Sequence, residues 1–570
     1  MKEPIIAFNQ FTFKYHSQTE PTLHNIDATI YQGEKVLILG PSGSGKSTLV
    51  HCLNGLVPFS YKGKIEGELL INGQNTKDLD IFTISTMVGT VLQDTDGQFI
   101  GITVGEDLAF SLENEQVPQQ EMKEIVQQVA ELVEVEDHMN HATHELSGGQ
   151  KQRVSLGGVM VDEKVDILLF DEPLANLDPA TGQYAMDLID RVHQETDKTI
   201  VMIEHRLEDA LHIEFDRVIV MDEGKIVFNG KPNDLLASDV LEQVAIREPL
   251  YLKALKYADC PLHSQMQLAD LTRLELSASN KTALQQWSIV QDDATQSFSE
   301  NILEVHNLQF NYAENPILQN ISFSIRQGEM VSIVGKNGAG KSTLSKLICG
   351  FEQMDSGEIL LHGEDISNKT IFDRASKIGF VLQNPNHMIT KHFIYDEIAL
   401  GLINRGYDQA EIDKRVIHAL KVFGLYPFRN WPISALSYGQ KKRVTIASIL
   451  VLEPSILILD EPTAGQDFRH YTEMMTFLQE LNANGTTIMF ITHDMHLMLE
   501  YTSRSIVLAD GRLIADRSAV DVLTDDQVVV KANLKRTSLF DLAQKANAQD
   551  PKAFVHQFIA YDRKVRKRWL

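Results

Sequence analysis

The 570-residue chain is poor in cysteine: Cys52, Cys260 and Cys349 are its only three, far apart in sequence. Three scattered thiols cannot build a disulfide framework or a four-ligand zinc site, and the chain reads as a reduced, cytosolic protein. Positive charge is also short. Fifty-two Lys and Arg stand against 78 Asp and Glu, a formal net charge of −26, which argues against a protein whose main business is wrapping nucleic acid. No run approaches the roughly 18–20 consecutive apolar residues of a membrane-spanning helix; the most apolar short runs, Ile167–Phe170 and Ile456–Leu459, stop at acids. Met1-Lys2-Glu3-Pro4 leads directly into strand-like sequence without the apolar region of a signal peptide. Any work at a membrane is therefore expected to proceed from its side and through partners. With 43% hydrophobic and 23% charged residues, the chain is globular in composition, and its length suits roughly three to four domains of about 150 residues.

The sequence is written twice. Gly40-Pro41-Ser42-Gly43-Ser44-Gly45-Lys46-Ser47-Thr48 recurs 295 residues later as Gly335-Lys336-Asn337-Gly338-Ala339-Gly340-Lys341-Ser342-Thr343. Leu146-Ser147-Gly148-Gly149-Gln150 recurs 290 residues on as Leu436-Ser437-Tyr438-Gly439-Gln440, Asp171-Glu172-Pro173 as Asp460-Glu461-Pro462, and His205 as His493. Four motifs in one order at nearly constant spacing mark a tandem duplication of one domain, running from 4 to 236 and from 302 to 523. The insert between them, 237–301, is not a Gly/Ser linker. Its Val240–Leu255 and Leu268–Leu276 segments carry spaced apolar residues that predict helices, broken at Pro249 and Pro261. The tail, 524–570, also reads as helical. Its Arg563-Lys564-Val565-Arg566-Lys567-Arg568 cluster is expected to be a solvated helix end, with contact to lipid phosphates or a partner as the alternative.

Each copy opens with an apolar strand (Lys35–Leu39, Met330–Val334), a glycine loop and a helix, the context that G-x-x-x-x-G-K-[ST] requires. Glycines let successive backbone N–H groups converge on phosphate oxygens, and the helix N-terminus adds its positive dipole end. Lys46 and Lys341 then neutralise the β- and γ-phosphates of ATP, and the Ser47 and Ser342 hydroxyls hold Mg²⁺. Downstream, four apolar residues run into Asp171-Glu172 and Asp460-Glu461. Carboxylates at the end of a buried parallel strand sit where open α/β sheets bind ligand. Asp171 and Asp460 are expected to hold Mg²⁺ through water, and Glu172 and Glu461 to act as general bases on the attacking water.

With these motifs the chain resembles the ATP-binding cassette family, the discriminating feature being Leu-Ser-Gly-Gly-Gln at 146–150. The resemblance implies an α/β fold: two tandem P-loop cassettes, each a RecA-like core plus a helical subdomain, with a helical insert and tail. It implies an intramolecular cassette dimer in which the signature of one cassette completes the nucleotide site of the other. Ser147, Gly148, Gly149 and Gln150 would then serve the ATP held by Lys341, and Ser437, Gly439 and Gln440 that held by Lys46. Gln93 and Gln383 match the glutamines that sense Mg²⁺ and couple to a transmembrane partner, and His205 and His493 the switch histidines at the γ-phosphate. Asp178 and Asp467, in Ala175-Asn176-Leu177-Asp178 and Ala464-Gly465-Gln466-Asp467, match the loop that crosses the dimer. Tyr15 and Tyr312 match the aromatic that stacks on adenine. Two departures stand out: Tyr438 where the signature has its first glycine, and Ile203-Glu204-His205-Arg206 where the second copy has Thr492-His493-Asp494. Both copies keep the Lys, Asp, Glu and His, so both sites are expected to hydrolyse ATP.

Gln93-Asp94-Thr95-Asp96-Gly97-Gln98 and its continuation resemble the ATPases of energy-coupling factor importers of vitamins and trace metals, with Gln98 as their extra glutamine; the second copy lacks it. This branch implies a transmembrane coupling protein and a small substrate-capturing membrane protein as partners, no nucleic acid, and a peripheral location on the cytoplasmic side of the cell membrane. Gln98, Phe99 and Ile100 are then expected to line the groove that receives the partner's helices. A twin-cassette sugar-importer ATPase is the nearer rival, although its insert is typically short and one of its sites degenerate. A ribosome-bound twin cassette would want a basic linker, whereas residues 238–300 hold nine acids and five bases. A DNA-repair ATPase would need a long coiled coil or zinc hooks.

Overall fold

The computed structural model describes residues 3–93, 95–175, 177–287, 300–463 and 466–566. The chain divides into two compact units, Met1–Ala283 and Leu284–Leu570.

In the first unit five parallel strands lie side by side in the order Arg217–Asp222, Lys35–Leu39, Thr199–Ile203, Ile167–Asp171 and Val88–Val91, with Lys225–Gly230 antiparallel at one edge. Lys35–Leu39 and Thr199–Ile203 are buried along their whole length, as continuous apolar runs are when both faces of a parallel sheet are covered. One face is covered by an antiparallel sheet in the order Leu23–Tyr31, Pro4–Tyr15, Gly63–Ile71 and Gln74–Asn75. There Phe11, Phe13 and Leu23 pack against Ile38, Leu53 and Ile203. Three helices, Val104–Asn114, Gln119–Leu132 and Gly148–Met160, pack on one another as a separate layer. Thr103 and Glu106 close the first with reciprocal capping bonds. Parallel strands point their C-terminal ends one way, so Leu39, Asp171 and Ile203 all end at the same edge of the sheet. That edge is where the motifs meet.

The second unit repeats the plan. Its parallel strands run Ile378–Val381, Ile456–Asp460, Thr487–Ile491, Met330–Val334 and Arg504–Ala509, with Arg512–Arg517 antiparallel at the edge. The antiparallel sheet is Asn315–Arg326, Asn301–Tyr312, Ser356–Leu361 and Glu364–Asp365. Ile394–Asn404, Gln409–Val422 and Tyr438–Leu450 form the helical layer. The chain is thus two tandem α/β cassettes.

The insert is only partly helical where the apolar spacing predicts it. Val240–Gln243 and Leu250–Tyr257 form, the latter starting at Pro249. Leu268–Leu276 does not. Gln267 takes a left-handed φ of 56°, and the Asp270 carboxylate accepts the Thr272 N–H at 2.8 Å and its hydroxyl at 2.6 Å. Such local side-chain bonds give the backbone an alternative to the helix ladder, and Leu268 and Leu274 are buried from irregular turns instead. A helix forms further on, at Ala278–Trp287; residues 288–299 of the insert lie outside the described residues.

The tail forms helices Asp526–Lys531, Ser538–Lys545 and Pro551–Arg566. Trp287 meets it edge-on, with ring centroids 5.4 Å from Phe554 and 5.8 Å from Tyr561, and the Gln285 amide donates to the Ala546 carbonyl at 2.8 Å. The basic cluster is solvated only in part where it is described: Arg563 and Lys564 are exposed, but two of its arginines also make internal contacts. Arg566 pairs with Glu500 at 2.9 Å and Asp562 at 2.7 Å, both carboxylates buried, and Arg563 donates to the Glu500 carbonyl at 3.0 Å. A buried carboxylate needs such a partner, so these two arginines are committed internally. Lys567 and Arg568 lie outside the described residues.

Because Phe554 is fully buried, Phe554→Ala is expected to destabilise the second unit by about 3–5 kcal/mol. Scanning calorimetry will show the corresponding transition moving to lower temperature while that of the first unit stays in place.

Candidate functional site

Both glycine loops have backbone that only glycine fits. Gly43 and Gly45 have φ of 81° and 99°, and Gly338 and Gly340 of 78° and 95°. A Cβ on Gly45 would lie 2.8 Å from a Leu23 methyl, and one on Gly340 2.5 Å from a Leu318 methyl. Helices start at Lys46 and Lys341, leaving their first N–H groups unbonded within the helix and turned to the loop. Lys46 Nζ donates to the carbonyls of Gly40 at 2.8 Å and Pro41 at 2.9 Å; Lys341 repeats this on Gly335 at 2.7 Å and Lys336 at 2.9 Å. The Ser44 hydroxyl is buried without a hydrogen-bond partner among the described residues. A ring of donors with buried cations at its rim can cradle phosphate.

At the neighbouring strand ends, Asp171 and Asp460 are each pushed up to about 6, by burial first and then by the adjacent glutamate; Lys46 and Lys341 partly offset the rise. Glu172 and Glu461 sit at φ of 50° and 45°, the left-handed region that costs a non-glycine residue roughly 1–2 kcal/mol. Each is fixed there by its own N–H, which donates at 2.9 Å to the carbonyl of Ile203 or Ile491 on the next strand. The turn aims the glutamate along the sheet edge. Glu172 accepts from Gln93 Nε2 at 3.0 Å and lies 2.8 Å from His205 Nε2. Burial works to raise its pKa, but the His205 hydrogen bond and charge, together with Lys46, hold it below the ordinary value. Glu461 is served differently. It lies 2.7 Å from His493 Nδ1 and accepts the His493 N–H at 3.1 Å and the Thr492 hydroxyl at 3.3 Å.

Ser47 and Asp171, and Ser342 and Asp460, offer hydroxyl and carboxylate oxygens, the donors a hard cation such as Mg²⁺ takes; the Ser342 hydroxyl already bonds Asp460. The crowded negative charge of each Asp–Glu pair is what such an ion would offset, so the residues fit the group.

Other sequence candidates fall around this centre. Tyr15 hydroxyl lies 3.0 Å from Thr48 Oγ1 at the start of the loop helix; Tyr312 donates to Glu352 at 3.1 Å and also meets Thr343, the counterpart of Thr48. Ser147 and Ser437 cap the helices beginning at Gly148 and Tyr438, reciprocally with Gln150 and Gln440. Tyr438 turns its hydroxyl to the carbonyl of Gln383, 3.2 Å away. Asp178 and Asp467 cap the following helices through the N–H groups of Thr181 and His470, each at 2.9 Å; Asn176, Ala464 and Gly465 of those loops lie outside the described residues. Gln98 spends its amide on the backbone, donating to the Thr90 carbonyl at 3.0 Å and accepting the Leu92 N–H at 3.2 Å. It pins the segment after Gln93 to an edge strand. Ile100 beside it is exposed and Phe99 half-buried.

Three neighbours were not singled out as site residues from the motifs. Glu204, within the altered switch motif, is buried and pushed up to about 7, by burial and then by Glu172. Its carboxylate accepts the N–H groups of Leu174 at 2.8 Å and His205 at 3.0 Å, tying the segment after Glu172 to the switch histidine. His138 meets the Gln150 amide nitrogen at 2.8 Å through Nε2. Lys442, inside the helix after the second signature, is fully buried.

A family model described as ABC transporter matches residues 23–175 and 318–464, and one described as ATP-binding cassette cobalt transporter matches 238–310. A putative ABC transporter ATP-binding protein of Enterococcus faecalis is 57% identical over 99% of this chain and 100% of its own length. Another from Clostridium perfringens is 55% identical over 99% of this chain and 100% of its own. A solved chain described as cbiO1 from Clostridium perfringens, part of the ABC transporter complex cbiONQ, is 38% identical over 41% of this chain and 95% of that chain, with a TM-score of 0.38.

The raised Asp171 and Asp460 make a prediction about stability. An acid whose pKa rises on folding weakens the fold once it is ionised, and the penalty disappears below its unfolded value. Asp171→Asn or Asp460→Asn should therefore stabilise the nucleotide-free chain at pH 7.5, by up to about 3 kcal/mol for a rise from 3.8 to about 6, and raise its melting temperature. The gain should fade as the pH falls from 6 towards 4. Thermal melts of the two variants across that range check it.

Proposed function

Since this chain belongs to the ABC transporter ATP-binding family and is an ATPase, we propose that it powers an importer of the energy-coupling factor type, driving uptake of a vitamin-like small molecule or a metal ion through separate membrane subunits. The match of 238–310 to a family described as ATP-binding cassette cobalt transporter supports that cargo class. The observation that carries docking is an apolar pair repeated 290 residues apart. Ile81 and Phe82 open the helix leading into strand Val88–Val91 and Gln93, and Ile371 and Phe372 open the helix before Ile378–Val381 and Gln383. Phe82 is 63% exposed and Phe372 76%. Large apolar side chains kept in water at equivalent places of both units suit an apolar partner, here the cytoplasmic helices of a transmembrane coupling protein. In this reading the coupling protein holds the chain peripherally, on the cytoplasmic face of the cell membrane; no helix among the described residues is long and apolar enough to cross a membrane.

Hydrolysis follows from the residues assembled. Lys46 and Lys341 leave their loop carbonyls for the β- and γ-phosphates of ATP. Glu172, held ionised, accepts the proton of the water that attacks the γ-phosphorus, and Glu461 does the same in the second unit. His205 and His493 orient these carboxylates, Tyr15 and Tyr312 take the adenine, and the signature residues Ser147 and Ser437 are further nucleotide ligands. Mg²⁺, held by Ser47, Gln93 and Asp171 or by Ser342, Gln383 and Asp460, supplies charge neutralisation at the phosphates when bound. Unequal affinity of the docked and released states for ATP and ADP converts turnover into movement of the partner.

Glu172→Gln together with Glu461→Gln should lower the ATPase kcat by at least about 100-fold while MgATP still binds; full activity in the double variant refutes the general-base roles. Phe82→Asp with Phe372→Asp should cut recovery of membrane proteins with the chain from detergent-solubilised membranes by at least about tenfold, through loss of desolvated apolar contact. Identifying the proteins recovered with the wild-type chain tests the cargo class.

A further inference from the structure

Lys442 lies in helix Tyr438–Leu450, two residues past the signature glutamine Gln440, with no exposed surface. Its ammonium donates to the backbone carbonyl of Gln383 at 3.1 Å and to the backbone carbonyl of Glu461. Three functional segments therefore meet at one nitrogen: the signature helix, the loop of Gln383 and the turn that carries Glu461. An ammonium has three donors and no acceptor, and charge-assisted bonds of this kind are about twice as strong as neutral ones. The nearby Asp460 and Glu461 carboxylates offset the charge, although burial still pushes the lysine down to about 8. The first unit solves the same packing problem without a charge. Its equivalent residue, Gln152, is also buried; the amide donates to the Pro173 carbonyl at 3.0 Å, and its Oε1 has no partner among the described residues. A neutral glutamine thus suffices to fill this place, whereas a buried cation costs free energy unless its bonds are kept. What the lysine adds is the bond to the loop of Gln383.

We propose that Lys442 is a positioning residue of the second unit's ATPase site, joining the carbonyls of Gln383 and Glu461 so that a displacement of the Gln383 loop by the docked membrane protein shifts the general-base carboxylate. The proposal rests on the reading of that loop as the coupling loop and of Glu461 as the base. Among the described residues the link belongs to the second unit alone, so the two sites answer differently to the same docking event: the second is wired to its coupling loop through the interior, while the first relies on the Gln93 side chain at Glu172.

The test uses the full-length chain carrying Glu172→Gln, so that turnover reports the second site, with Lys442→Gln, which installs the first unit's residue and preserves packing, and with Lys442→Met. Steady-state MgATP hydrolysis and hydrogen exchange of segment 378–389 with and without MgATP are measured on each, with Glu461→Gln as the reference. We expect kcat to fall about tenfold in Lys442→Gln with KM within about twofold. We also expect the exchange response of 378–389 to MgATP, present in the wild type, to vanish in both variants. Unchanged kcat and an unchanged exchange response in Lys442→Gln overturn the proposal while Glu461→Gln remains inactive. A fall in kcat matched by a rise in KM and a lowered melting temperature in Lys442→Gln assigns the lysine to packing and also overturns it. Full hydrolysis by Glu461→Gln removes the underlying reading of the base, and the positioning role with it.

Discussion

Two carboxylates stand side by side at the end of a buried strand in each unit, beside a loop built to receive more negative charge. Left alone they repel, and burial raises the price of ionising both. Around each pair, the structure is arranged to tolerate that crowding without removing it. A left-handed turn, pinned to the adjacent strand, separates the two side chains. His205 and Lys46 lend positive charge in the first unit, and Lys341 and Lys442 in the second, and the parallel strand order brings the acids and the loop lysine to one edge. Asp171 and Asp460 are harder to ionise than ordinary carboxyls, and a bound cation would offset that cost, whereas His205 and Lys46 hold Glu172 below its ordinary value.

The two units meet this constraint with different buried charges. The first places Glu204 behind its switch histidine where the second has Thr492, and the second places Lys442 beneath its base where the first has Gln152. An extra buried acid borders Glu172, and an extra buried cation borders Glu461. The edge strands differ as well: Gln98 completes the backbone pairing of Leu92, while the N–H of Leu382 faces the Met388 sulfur at 3.2 Å. Duplication preserved the backbone plan and let the polar packing beneath it diverge.

The tandem cassettes were legible in the sequence because the duplicated motifs carry their own strand–loop–helix context, and apolar strands such as Lys35–Leu39 and Ile456–Asp460 admit few alternatives. The candidate site was legible as a residue set for the same reason: glycine loops and strand-end acids are local patterns. The partners of those residues were not. Nothing in the spacing tells that Gln98 would bond its own strand across a turn, and the bridge of Glu204 to Leu174 and the reach of Lys442 to two carbonyls join segments far apart in sequence. The Leu268–Leu276 expectation failed because apolar periodicity does not register Asp270 capturing the backbone of Thr272. The Arg563–Arg568 expectation fits the exposed Arg563 and Lys564 but missed the pairing of Arg566 with Glu500, which becomes its neighbour only after the tail folds back on its unit.

The packing of Trp287 between Phe554 and Tyr561 also gives the chain an optical reporter. Of its three tryptophans, Trp287 is held against the tail by two aromatic rings, while Trp431 is 47% exposed on the helical layer of the second unit. Indole emission shifts to longer wavelength when the ring meets water, so release of the tail is encoded in the intrinsic fluorescence of the unlabelled chain. The insert thereby ends in a built-in gauge of whether the last helices are seated.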